Sequence, residues 1–123
     1  MHAGNAPLHR MLIVDDDRDI CECLEQFFCS HGFSVIFAFS GEQALDQLTT
    51  TDVEVIILDI LLPGLSGLEV LRRAKELCPA ARIVIMTGLP EPELRWKAHA
   101  YGACGFVTKP FDFSETTWAS ALS

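Results

Sequence analysis

Three carboxylates in a row, Asp15-Asp16-Asp17, follow the apolar run Met11-Leu12-Ile13-Val14. Adjacent carboxylates at the end of a buried strand cost stability unless a cation or a function compensates them. A second apolar run, Val55-Ile56-Ile57-Leu58, ends in Asp59. A third, Ile83-Val84-Ile85-Met86, ends in Thr87, and a fourth, Phe106-Val107, leads through Thr108 into Lys109-Pro110. An acid cluster, a further acid, a hydroxyl and an ammonium therefore stand at the ends of four strand candidates. That set suits a magnesium and phosphoryl site: magnesium takes oxygen ligands and keeps several waters, so one or two carboxylates suffice, and an ammonium can face phosphoryl oxygens.

Such residues act together only if their strands lie side by side. Hydrophobic periodicity predicts strands near residues 10–14, 34–39, 53–58, 83–86 and 105–107, alternating with helices. The first helix is expected over 18–30, with Ile20, Leu24, Phe27 and Phe28 at helical spacing and Gly32 as C-cap. Ser40-Gly41-Glu42-Gln43 is a capping box opening a short second helix. Pro63-Gly64 marks a turn, and Ser66 is expected to cap a third helix with an apolar stripe of Leu68, Leu71, Ala74 and Leu77. A fourth helix is predicted over 92–101, and Asp112-Phe113-Ser114-Glu115 reads as the cap of a fifth carrying Trp118 and Leu122. Continuously apolar strands alternating with helices imply a parallel sheet covered on both faces. The predicted fold class is α/β, a flavodoxin-like doubly wound five-stranded sheet of order 2-1-3-4-5 with five surrounding helices, whose ligand crevice lies beyond strands one and three. Asp15 to Asp17 and Asp59 follow those two strands.

The chain of 123 residues is half apolar, which fits one domain with a real core. We read residues 1–9 as a flexible leader and 10–123 as that domain, with the final helix cut short at its end. A net charge of -8 opposes direct binding of nucleic acid or an anionic membrane and favours protein partners. Nothing in the sequence resembles a membrane span or a signal peptide, so the cytoplasm is expected. Five cysteines, at 21, 23, 29, 78 and 104, form no zinc pattern and read as reduced thiols. The four histidines read as structural.

The residues 12–17, then Leu58-Asp59-Ile60-Leu61-Leu62-Pro63-Gly64-Leu65-Ser66-Gly67, then Met86-Thr87-Gly88, then 106–111 occur in order and at spacings that resemble a response-regulator receiver domain. That is the phosphoacceptor part of two-component signalling, and the resemblance runs from Met11 to about Trp118. It implies that Asp59 accepts a phosphoryl group from the phosphohistidine of a histidine kinase or phosphotransfer protein. It further implies Mg2+ held by Asp15, Asp16, Asp59 and the backbone carbonyl of Leu61, Lys109 pairing with the phosphoryl group, and a cis Lys109-Pro110 bond. Thr87 would donate its hydroxyl and, with Phe106, form the switch. The resemblance implies a switch rather than an enzyme with a separate substrate, and a downstream target or homodimer bound through the face of the fourth and fifth helices, where Trp96 and Tyr101 lie. Phe106 lacks the hydroxyl of the tyrosine found at that position in other members, and Thr116-Thr117 stand where leucines are frequent.

Other readings account for less. A magnesium-dependent phosphohydrolase of the dehalogenase type needs an acid two residues after its nucleophile, where this chain has Leu61. A flavodoxin-type nucleotide or flavin module needs a phosphate-cradling loop after the first strand, where three aspartates would repel the ligand. A receiver-like interaction module without chemistry would be favoured by loss of Asp59, Thr87 or Lys109, and all three are present.

Overall fold

A computed structural model describes residues 9–88 and 91–122. The leader, read as 1–9, lies outside them except for His9, which already belongs to the first strand. The elements in chain order are β1 (His9–Val14), α1 (Arg18–Cys29), β2 (Phe33–Ala38), α2 (Gly41–Leu48), β3 (Val55–Asp59), α3 (Gly67–Leu77), β4 (Arg82–Thr87), α4 (Pro92–Ala100), β5 (Gly105–Thr108) and α5 (Ala119–Leu122). All strand pairs are parallel, in the order β2-β1-β3-β4-β5. The predicted architecture is therefore the observed one.

Residues alternate between two cores because successive side chains of a strand point to opposite faces. Met11 and Ile13 of β1 pack with Cys21, Leu24 and Phe28 of α1 and with Trp118 and Ala121. Leu12 and Val14 pack with Ala44 and Leu48 of α2, Val70, Leu71 and Ala74 of α3, and Ala98 of α4. Burial on both faces explains the unbroken apolar strands.

The helix starts follow local chemistry. Asp17 accepts from the backbone N–H groups of Asp19 and Ile20 and caps α1. Ser40 accepts from Gln43 N at 3.1 Å, and the Gln43 carboxamide reaches back to Phe39 N at 2.8 Å, one residue before the position a capping box supplies. Gly32, past α1, and Gly64, in the predicted turn, have positive φ.

Three expectations need correction. Ser66 stands at the start of α3 but makes no side-chain cap bond. Leu77 is 46% exposed: strict spacing by three drifts around a helix of 3.6 residues per turn, so Leu77 ends opposite Leu68 and Val70 takes the buried place. The last helix is a single turn beginning at Ala119. The segment before it is tied up by hydroxyls: Asp112 Oδ1 accepts from Ser114 N, Ser114 Oγ and Thr117 Oγ1, while Glu115 pairs with His31 across the fold at 3.2 Å. Trp118 is nevertheless fully buried, its indole N–H donating to the Asp112 carbonyl at 2.9 Å.

Gly67 governs how α3 meets the end of β3. A Cβ there would lie 2.3 Å from the Ile60 carbonyl oxygen and 2.5 Å from its Cα, so the backbone next to Asp59 would have to move. Gly67→Ala is expected to cost about 1–3 kcal/mol, the range for overpacking, measured as a lower urea midpoint at unchanged m-value. Native stability in that variant would mean that the β3–α3 loop yields freely.

Candidate functional site

The carboxyl ends of β1 and β3 lie where the strand order reverses, the place where doubly wound sheets open a crevice. Asp15 is fixed there by its N–H, which donates to the Ala38 carbonyl at 3.1 Å and prolongs the β1–β2 ladder. Asp59 ends β3, and the next residue, Ile60, donates to Met86 O at 3.1 Å. Lys109 follows β5, its N–H donating to the Thr87 carbonyl at 2.7 Å, and the Lys109-Pro110 bond is cis.

These anchors bring three charged groups together. Lys109 Nζ donates to Asp15 Oδ2 and to Asp59 Oδ2, each at 2.9 Å. The other oxygens are also satisfied: Asp15 Oδ1 accepts from Asp17 N and Asp59 Oδ1 from Leu61 N, both at 2.9 Å. Asp15 and Asp59 are buried, whereas Asp16 is exposed at the rim. Thr87 is fully buried at the end of β4.

Burial pushes the Asp15 carboxyl above the ordinary carboxylate range, and the charge of Asp59 adds to this, while the bonds from Asp17 and Lys109 pull the other way. For Lys109, burial alone would lower the ammonium's pKa, but the bonds to Asp59 and Asp15 outweigh it and hold it above its usual value. Cys21, beneath Asp15, is pushed up to about 12 by burial, so its thiol is inert at neutral pH.

The donor set fits a hard cation. Asp15, Asp16 and Asp59 each offer a carboxylate oxygen, and these oxygens lie within 4.8 Å of one another. A divalent ion there would favour the ionised Asp15 that burial disfavours.

The structure thus assembles Asp15, Asp16, Asp59, Thr87 and Lys109 at one end of the sheet. Leu61 lies beside them, 51% exposed, and Phe106 lies on β5 two residues before Thr108, the register partner of Thr87. Two arginines escaped the sequence reading. Arg18 Cζ sits 4.1 Å from the centroid of the Phe39 ring, and Arg95 Cζ 5.1 Å from that of Phe106. Both contacts join distant elements, so no spacing signal could reveal them.

The chain belongs to the response regulator receiver domain family, whose model matches residues 11–119. It is 35% identical over 106 residues to the sporulation initiation phosphotransferase F of Bacillus subtilis, covering 86% of each protein. It is 33% identical over 106 residues to the transcriptional regulatory protein DltR of Streptococcus agalactiae, covering 86% of this chain but 47% of DltR. The chain therefore spans about half the length of that regulator. Among solved structures, a response regulator protein from Burkholderia pseudomallei with a phosphorylated aspartic acid, a calcium ion and citrate superposes with a TM-score of 0.84 at 26% identity, over 90% of this chain and 65% of that one. Among the described residues no helix is long and apolar enough to cross a membrane.

The raised Asp15 pKa gives a pH signature. Folded protein holds this proton more tightly than the unfolded chain, so the group's contribution to stability falls as pH rises from about 3.9 through the raised folded value. Metal-free Asp15→Asn is expected to lose that decline and to exceed the native chain in urea midpoint at neutral pH. An unchanged slope between the two proteins would assign the titration to another group.

Proposed function

We propose that the chain is a phosphoacceptor switch in which Asp59 takes a phosphoryl group from the phosphohistidine of a histidine kinase or phosphotransfer protein. The observation that carries this reading is the Lys109 ammonium held at 2.9 Å from both the Asp15 and Asp59 carboxylates, at the sheet's switch point. A carboxylate oxygen of Asp59 attacks phosphorus, the P–N bond of the donor breaks, and its electron pair leaves with the imidazole. An acyl phosphate results on Asp59.

An ionised carboxylate is a weak nucleophile toward a phosphoryl group that is itself anionic, so catalysis is positioning and charge neutralisation. Lys109 supplies one positive charge and is oriented by the carboxylates it bridges. The Leu61 N–H holds the Asp59 carboxylate by its Oδ1. Asp15, Asp16, Asp59 and the Leu61 carbonyl would hold Mg2+, which would supply positive charge against the phosphoryl group. The Thr87 hydroxyl would then donate to the new phosphoryl group, and Phe106 would take up the space it leaves.

The domain that acts in this way is the segment 10–123. Its output is a change of surface on the side of α4 and α5, where Trp96 is 78% exposed. A large aromatic at such exposure suits a downstream protein or a second copy. The net charge of -8 sets direct nucleic-acid binding aside. The compartment consistent with these partners is the cytoplasm. The domain turns over only its own phosphoryl group and is not an enzyme for a separate substrate; at Leu61 there is no carboxyl to act as a general acid.

Intact-mass spectrometry after incubation with Mg2+ and acetyl phosphate tests this. One phosphoryl adduct is expected that requires metal and disappears in Asp59→Asn; a folded native chain that never gains it, even from a phosphohistidine donor, would refute the reading. Lys109→Ala is expected to leave magnesium binding largely intact while phosphorylation no longer alters amide exchange around α4. Restored exchange changes in that variant would remove Lys109 from the switch.

A further inference from the structure

The switch proposed above needs something to hold Phe106 before phosphorylation, because this ring has no hydroxyl to anchor. In register, Phe106 lies opposite Ile85, and Thr87 lies opposite Thr108. Ile83, Ile85 and Thr87 alternate onto one face of β4, so Thr87 and Phe106 share a face of the sheet as diagonal neighbours on adjacent strands. Phe106 is half-buried against the core that includes Ile85, Ala98 and Ala103, and its remaining surface borders a groove of about 530 Å³ between α4 and β5.

Arg95 closes that groove over the ring, with Cζ 5.1 Å from its centroid. A guanidinium over an aromatic face is attracted by the ring's quadrupole. No carboxylate among the described residues pairs with Arg95, so its guanidinium is left to the Phe106 ring.

We propose that Arg95 is a positioning residue, a latch whose guanidinium holds Phe106 in its half-buried resting place and releases it when the ring turns in toward Thr87. In the structure the latch is closed while Lys109 is engaged by both carboxylates. This couples α4 to the phosphoryl site through one contact, and it rests on the function proposed above. A cation–π contact at a partly exposed site corresponds to about a two- to five-fold bias in an equilibrium.

Beryllofluoride, a mimic of the aspartyl phosphoryl group, reads that bias as affinity, measured by calorimetry with Mg2+. Removing the latch should tighten its binding, whereas loss of a positive charge by itself would weaken binding of an anion. Arg95→Gln is expected to bind about two- to five-fold more tightly than the native chain. Lys97→Gln, the same charge change on the same helix, should show no tightening. In a Phe106→Leu background, Arg95→Gln should have no further effect. Equal affinity of native chain and Arg95→Gln would overturn the latch, as would tightening that persists without the Phe106 ring or recurs in Lys97→Gln, with the phosphoryl-site reading intact in each case. A folded native chain that binds no beryllofluoride would overturn that reading and the latch together.

Discussion

The structure turns on one ammonium between two carboxylates. Asp15 and Asp59 arrive on separate strands, both buried, and two such charges side by side would repel each other in a medium that screens poorly. Lys109 reaches both and offsets that repulsion, while burial still holds the Asp15 carboxyl above its ordinary value. That residual strain is chemically useful. A site one positive charge short of balance favours a divalent cation, and a cation together with an ammonium favours a phosphoryl group. The same feature that costs stability in the bare domain is the one the proposed function uses.

Everything near the site serves to deliver those three groups. The β4–β5 ladder runs on to the Lys109 N–H, which bonds to the Thr87 carbonyl, so the ammonium and the buried threonine are placed by one backbone contact. Gly67 lets α3 start against the backbone of Ile60, directly after Asp59. Trp118 and Phe28 on one side, and the α2, α3 and α4 residues on the other, fix the strands themselves. The rigid sheet carries the charged groups, and the proposed output lies on α4, which buries one of its nine residues, Ala98. An element so lightly held can shift at low cost, the property a signalling surface needs.

Much of this was legible in the order of residue types. Four apolar runs ending in Asp15-Asp16-Asp17, Asp59, Thr87 and Lys109 named the site, because a parallel strand buried on both faces is apolar to its end and changes character only where it leaves the core. Alternation of strands and helices named the fold, since parallel strands require crossovers. The N-cap at Ser40 and the turn at Gly64 were readable because both depend on a few neighbouring residues. Side-chain contacts between distant elements were not readable. The cation over Phe106, the His31–Glu115 pair and the two-carboxylate grip of Lys109 join residues with no fixed sequence offset. The last helix was over-read for a related reason: Asp112, Ser114 and Thr117 bond to one another instead of to helix N–H groups, a competition that residue types alone do not resolve. The sequence by itself determined which groups stand at the sheet's end, through local hydrophobic pattern; only the tertiary structure decided which of them touch, because burial and charge pairing are settled by packing among strands.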